Sequence, residues 1–246
     1  TDNNSVDSTG RILKEYQEKG VLHYIFEAND NYNQHAWVTR MARIAYKNFR
    51  ADWVINSDAD EFWWPLSSTL KKTFEGIPPQ FNILNAERIN FVAVERSDTP
   101  FYHSMIFRES ISLNPLGQPL PPKAAHRGCE TVRVNQGNHS VKGIEDPRAI
   151  SGLVEILHFP SRSYKQYENK IIKGGAAYEK NRELNSSVGG TWRELYVQYK
   201  RHGNLQDYFQ KHFYNQKRIN DGIKKGSLVM DRRLSVYFSE NVSVNM

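Results

Sequence analysis

The residues best placed to do chemistry are Asp58, Asp60 and Glu61, which follow directly on the apolar run "DWVIN" (52–56) in "ADWVINSDADEFWWP". On an extended chain, residues i and i+2 share a side, so Asp58 and Asp60 just past a strand end can turn toward one point. Carboxylates gathered and buried without a cation or a set of donors are costly. Hard carboxylate oxygens suit Mg²⁺ or Mn²⁺, which keep positions open for water and phosphate oxygens. The competing reading is a loop whose acids cap the helix that follows. His139 in "VNQGNHSVKG" and His158 at the end of "VEILHF" could each complete a metal shell as a neutral imidazole, or serve as satisfied structural residues.

These groups need a frame. "VLHYIFEAN" (21–29) reads as a strand. Apolar residues at Trp37, Met41, Ala45 and Phe49 predict an amphipathic helix over 35–51. A buried strand (52–56) comes next, then a helix over 66–79 that Gly76 and Pro78 stop. Strands are expected over 81–95, 130–135 and 152–159, with a proline-rich irregular excursion over 97–123. From Ser161 onward three helical patterns follow, with Gly203 and Gly222 where C-terminal caps would sit. The order implies an α/β body over 1–160 and a basic helical extension over 161–246. In such sheets ligands bind beyond the carboxyl ends of the strands, where the acids lie.

The bulk composition fits one large globular domain of 246 residues, with 24% charged and 39% hydrophobic residues. No apolar run reaches the ~18–20 residues of a membrane span. The lone cysteine, Cys129, forms no internal disulfide and fits a reducing compartment or a small buried apolar position. The net charge of +6 is uneven: residues 160–233 carry 16 Lys or Arg against 7 Asp or Glu, so the rest is slightly acidic. That basic third could face a phosphate-rich ligand or an anionic membrane surface, or form solvated helix faces. No nucleic-acid motif accompanies it. The expected location is cytoplasmic, in free solution or at the inner face of the membrane.

Three segments, taken in order, resemble the family 2 glycosyltransferases. "WVINSDADEFWWP" is similar to the Asp-X-Asp segment of a bacterial subgroup that reads Asp-Ala-Asp-Glu-Phe. "TDNNSVDSTGRIL" resembles the family's second-strand segment, and "ILHFPSRSYKQYENKIIKGG" its His-then-Arg-Ser-X-X-Gln-Phe-X-X-Lys stretch. The resemblance covers residues 1 to roughly 175 and implies a GT-A fold, a Rossmann-like sandwich that binds a nucleotide-diphosphate sugar. On the family pattern this chain starts inside the second strand, so donor binding is expected to be weaker than in a chain carrying the preceding βα unit.

Carried over by the resemblance, Asp60 is the direct metal ligand, Asp58 touches the ribose or the metal, and Glu61 stands behind them. Asp2 and Asn3 would hold base and ribose, although Asn3 and Asn4 stand where the family has Asp and Gly. Arg40 or Arg43 would meet the nucleotide or diphosphate, as would Arg162 and Lys170. Asp146 in "GIEDPRA" is the expected catalytic base, with Glu130 in reserve. His158 is the expected histidine of the metal shell; His139 is the second candidate, for the metal or the acceptor. Trp63 and Trp64 point to opposite sides of an extended segment, so at most one stacks on a sugar. The implied activity is inverting, Mn²⁺- or Mg²⁺-dependent transfer of a sugar to a glycan or glycolipid hydroxyl. Two rivals are a metal-dependent nucleotidyltransferase or phosphatase and a non-enzymatic anion- or nucleic-acid-binding protein using the basic tail.

Overall fold

The computed structural model describes residues 1–29, 31–94, 99–113, 118–185 and 188–242. At the amino end Asp2 forms a single parallel bridge to Phe26 beside helix α1 (Thr9–Glu18). The strand expected over 21–29 is reduced to that bridge, because the backbone of Asp2 is the neighbour it pairs with, through Ile25 and Glu27. Helix α2 (Gln34–Phe49) forms as its periodicity predicts, and Arg50 closes it in a left-handed conformation. Its packed face is Val38 and Ala42, set against Val132 and Val134, while Phe49 at the end of the predicted stripe stays exposed.

Strands β1 (Trp53–Ile55) and β2 (Glu61–Pro65) flank the acidic turn. Helix α3 (Leu70–Glu75) starts at Thr69, whose side chain accepts from the Lys72 amide. Then come β3 (Ile83–Asn90), β4 (Ala93–Val94), α4 (Phe101–Ser104), β5 (Phe107–Glu109), β6 (Lys123–Arg127), β7 (Arg133–Val134), β8 (Val141–Lys142) and β9 (Ala149–His158). The chain continues as α5 (Tyr164–Lys180), α6 (Gly190–His202), α7 (Gln206–His212), β10 (Phe213–Tyr214), α8 (Gln216–Lys224), β11 (Leu228–Met230) and α9 (Arg233–Val242).

The central sheet is mixed, in the order β1-β6-β3-β9-β2. β3 and β9 run parallel, and the other three pairings are antiparallel. It follows that the carboxyl ends of β1, β3 and β9 and the amino ends of β2 and β6 share one edge. Glu61, Asn90, Lys123 and His158 all arrive there, with Glu61 and Asn90 both in register with His158.

Alternation along β2 and β9 builds the two faces of the core. Phe62, Trp64, Leu157 and Phe159 pack on one face, and Trp63, Val154 and Ile156 on the other. Both tryptophans are therefore packing residues, and the extended segment after the acidic turn is a strand of the sheet. Leu84, Ile156 and Leu157 are fully buried, each contributing roughly 1.5–3 kcal/mol relative to exposure.

The carboxyl-terminal segment is more than helices. β10 pairs with β4, and β11 pairs with β5, so the segment is stitched into the body by backbone hydrogen bonds. Gly203 caps α6 in a left-handed conformation as its position predicts. Gly222 instead lies inside α8, where Leu228 fills the space a Cβ would take. Among the described residues no helix is long and apolar enough to cross a membrane.

Candidate functional site

The acids after β1 split into two differently partnered groups. Asp58 Oδ2 lies 2.5 Å from Lys123 Nζ, and Asp58 Oδ1 accepts from Gln34 at 2.9 Å and Asn138 at 3.1 Å. Lys123 is 2% exposed and also pairs with Glu61 Oε1 at 3.0 Å. Glu61 Oε2 accepts from the Asp58 amide. Burial pushes the Glu61 carboxyl up and Asp58 adds to it, against the pull of Lys123. Both Asp58 oxygens are thus engaged by protein donors, and this half of the cluster fixes the shape of the turn.

Asp60 has a different set of partners. Its Oδ2 lies 2.6 Å from Lys170 Nζ and 3.9 Å from His158 Nε2. Burial raises the Asp60 carboxyl, but the charge and hydrogen bond of Lys170 work against it and the net shift is downward. His158 is held neutral by burial, helped by the charges of Arg88, Lys170 and Lys123. Its Nδ1 contacts Asn90 Oδ1 at 2.8 Å. A neutral ring donating there carries its lone pair on Nε2, on the side of Asp60. A hydrogen bond that fixes the tautomer in this way is how metal-binding histidines are oriented.

Asn90 has a second duty. Its Nδ2 donates to Glu109 Oε2 at 3.2 Å, linking His158 to a carboxyl group at the end of β5. Burial pushes Glu109 up, with hydrogen bonds from Asn90 and Ser112 working against it. Asn90, Glu109, His158 and Lys170 line one cavity of about 490 Å³ between the sheet edge and α5–α8. Tyr167, Trp192, Tyr208 and Phe209 form much of its remaining wall. That volume lies within the ordinary range for small-ligand sites. Trp192 can reach this wall because α5 offers glycines to α6: a Cβ on Gly174 would sit 2.2 Å from its ring.

Other expected site residues fall elsewhere. Asp146 is at the far edge of the sheet, before β9, a strand of ten residues that spans about 30 Å to His158. Its exposed carboxylate pairs with Arg148 at 2.9 Å, and its carbonyl accepts from Asn82 in a turn of positive φ. It cannot act as base at Asp60. Glu130 is exposed and pairs with Lys47, roughly 20 Å along α2 from Gln34 at the acidic turn. Arg162 lays its guanidinium over Phe101, 5.1 Å from the ring centre. His139 bonds Pro122 O at 3.0 Å and sits on the Lys123–Asp58 side, not with Asp60 and His158.

Asp2, Asn3 and Arg40 gather around one segment. Asp2 accepts from Ser5 and Tyr24, Asn3 donates to the carbonyls of Glu27 and Asn29, and Arg40 pairs with Glu27 at 3.0 Å. Arg43 is turned away, donating to Val132 O at 2.9 Å. Arg40 lies about 9 Å along α2 from Gln34, so this group borders the acidic turn but makes no direct bond to it.

Sequence reasoning missed Lys123, Asn90 and Glu109. Lys123 sits in "PPKAAH", where a lysine leads an apolar run, a usable sign of an inward-facing strand end. Asn90 and Glu109 carry no such sign, since only strand register brings them together. Among the described residues no three His, Cys, Asp or Glu converge as a ready metal cage. Asp60 is the kind of carboxylate through which Mg²⁺ or Mn²⁺ is held beside substrate phosphates, and His158 stands 3.9 Å from it. Comparison with protein-family models, with curated proteins and with solved structures found no match.

Proposed function

We propose that the protein is an inverting glycosyltransferase of GT-A type, which moves a sugar from a nucleotide-diphosphate donor to a hydroxyl of a glycan or glycolipid acceptor. The observation that carries this reading is the cavity wall on which His158 and Lys170, the partners of Asp60, stand beside the carboxyl of Glu109. The resemblance of the acidic, amino-terminal and His158–Lys170 segments to family 2 enzymes points the same way.

Asp60 and His158 would hold a Mn²⁺ or Mg²⁺ ion, whose charge offsets the negative charge that grows on the leaving diphosphate. Lys170 adds a fixed positive charge at the same place. Glu61 and Lys123 keep the turn in shape. Glu109 takes the proton of the acceptor hydroxyl as its oxygen bonds to the anomeric carbon and the bond to the diphosphate oxygen breaks. Asn90 holds both Glu109 and His158, so base and metal side are set at a fixed spacing.

A thermal-shift screen of nucleotide sugars with and without Mn²⁺ tests the class. One donor at ~100 times its Kd should raise the melting temperature by about 5–10 °C, and only with the metal. Asp60→Asn should abolish that shift and lower transfer at least ~100-fold. A metal-independent shift of equal size in both proteins would refute the metal role.

The base is tested by pH. Because burial raises Glu109, kcat/KM should fall as pH drops through a value above the usual carboxylate range. Glu109→Gln should cost ~10²–10⁴-fold and remove that acidic limb. An unchanged limb in the variant would rule Glu109 out.

A further inference from the structure

The cavity has further polar groups. Arg218 lies 3.9 Å over the ring of Tyr214, and its Nη1 donates to the carbonyls of Lys211 at 2.6 Å and Phe213 at 3.0 Å. These contacts fix the plane of the guanidinium, and among the described residues no carboxylate pairs with it. Arg108, Arg148 and Arg233, by contrast, are each tied to an acid. His212 lies next to it, stacked on Tyr208 at 4.4 Å with Nδ1 bonded to Tyr208 O. Both Arg218 and His212 line the cavity and act electrostatically on Glu109.

We propose that this cavity is an acceptor site for a sugar that carries an anionic oxygen group, a carboxylate or a phosphate, bound at Arg218. This rests on the glycosyltransferase reading for the word acceptor, while the binding chemistry stands on the cavity alone. The side chains of Trp192 and Tyr208 line the cavity and give a sugar an aromatic wall to pack against. A preoriented guanidinium with open N–H groups suits a planar or tetrahedral oxyanion. The direction of binding also follows. Glu109 repels an anion and Arg218 attracts one, so the charged group lies against Arg218 and a hydroxyl faces Glu109.

Calorimetric titration of the whole protein with glucose 6-phosphate, glucuronate, glucose and inorganic phosphate tests the proposal without a donor. At least one charged sugar should bind ~10-fold or more tighter than glucose, and tighter than phosphate. Arg218→Gln should erase that advantage and leave glucose binding unchanged, while Lys225→Gln, outside the cavity, should leave all four unchanged. Arg218 is exposed, and an unchanged melting temperature of Arg218→Gln checks that losing its bonds to Lys211 and Phe213 leaves the fold intact. Equal binding of charged and neutral sugars overturns the proposal. So does phosphate alone matching the sugar phosphate, because the aromatic wall would then add nothing. Loss of the preference in Lys225→Gln as well would reduce it to diffuse charge and overturn it too. The donor screen fails or succeeds separately: charged-sugar preference without metal-dependent donor binding keeps the cavity assignment and sinks the transferase reading.

Discussion

At the residue scale, Lys123 decides what the two acids of the motif can do. It is buried between Asp58 and Glu61 and offsets both, whereas Asp60 pairs with Lys170. Removing one partner of a buried ion pair leaves an uncompensated charge and typically costs ~3–5 kcal/mol. Lys123→Met should therefore lower stability by about that much in urea denaturation. Adding Glu61→Gln to it should restore part of the loss, since one stranded charge goes. A loss under ~1 kcal/mol would mean that solvent or rearranged donors satisfy Asp58 and Glu61 without Lys123.

At the element scale, the short strands of the carboxyl-terminal segment matter more than its helices. β11 holds β5, and β5 ends on Glu109. Asp231, just after β11, clamps the same strand by bonds to Arg108 at 3.1 Å and Arg233 at 2.7 Å. Burial alone would raise the Asp231 carboxyl, but the two arginines hold it below its usual value. A carboxylate depressed in the folded state stabilises the protein above the unfolded pKa of about 3.9, and that contribution fades as pH falls through the folded value. Asp231→Asn should lose about 2 kcal/mol or more at neutral pH and show a shallower loss of stability below about pH 4 than the parent. Parallel stability–pH curves for the two proteins would contradict this role.

The same scale explains where pattern reading worked. The predicted helix over 35–51 and the strand at 52–56 were legible because each carries its own period or apolar run. "EFWWP" reads as an extended segment with no pairing partner assigned, and pairing to β9 makes it a strand. The pattern "LQDYFQKHFYNQKRINDG" suggested one helix, but Phe213 and Tyr214 leave it to pair with β4. Tertiary pairing overrode local preference there.

At the scale of the whole molecule, the sheet topology makes the site. Three strands end and two begin at one edge, so residues 58–61, 90, 123 and 158 meet although they are spread over a hundred positions. The carboxyl-terminal helices then close the cavity over that edge. The sequence by itself determined the α/β class and the run of acids after β1, because these depend on local pattern; His158 and Lys170 were singled out by a resemblance, and the fold sets both beside Asp60. Only the tertiary structure decided that Asp146 and Glu130 lie far from the acids, that Lys123 neutralises Asp58, and that Asn90 brings Glu109 to His158. Those relations depend on strand direction and register, which are set by long-range pairing that no short stretch of sequence encodes.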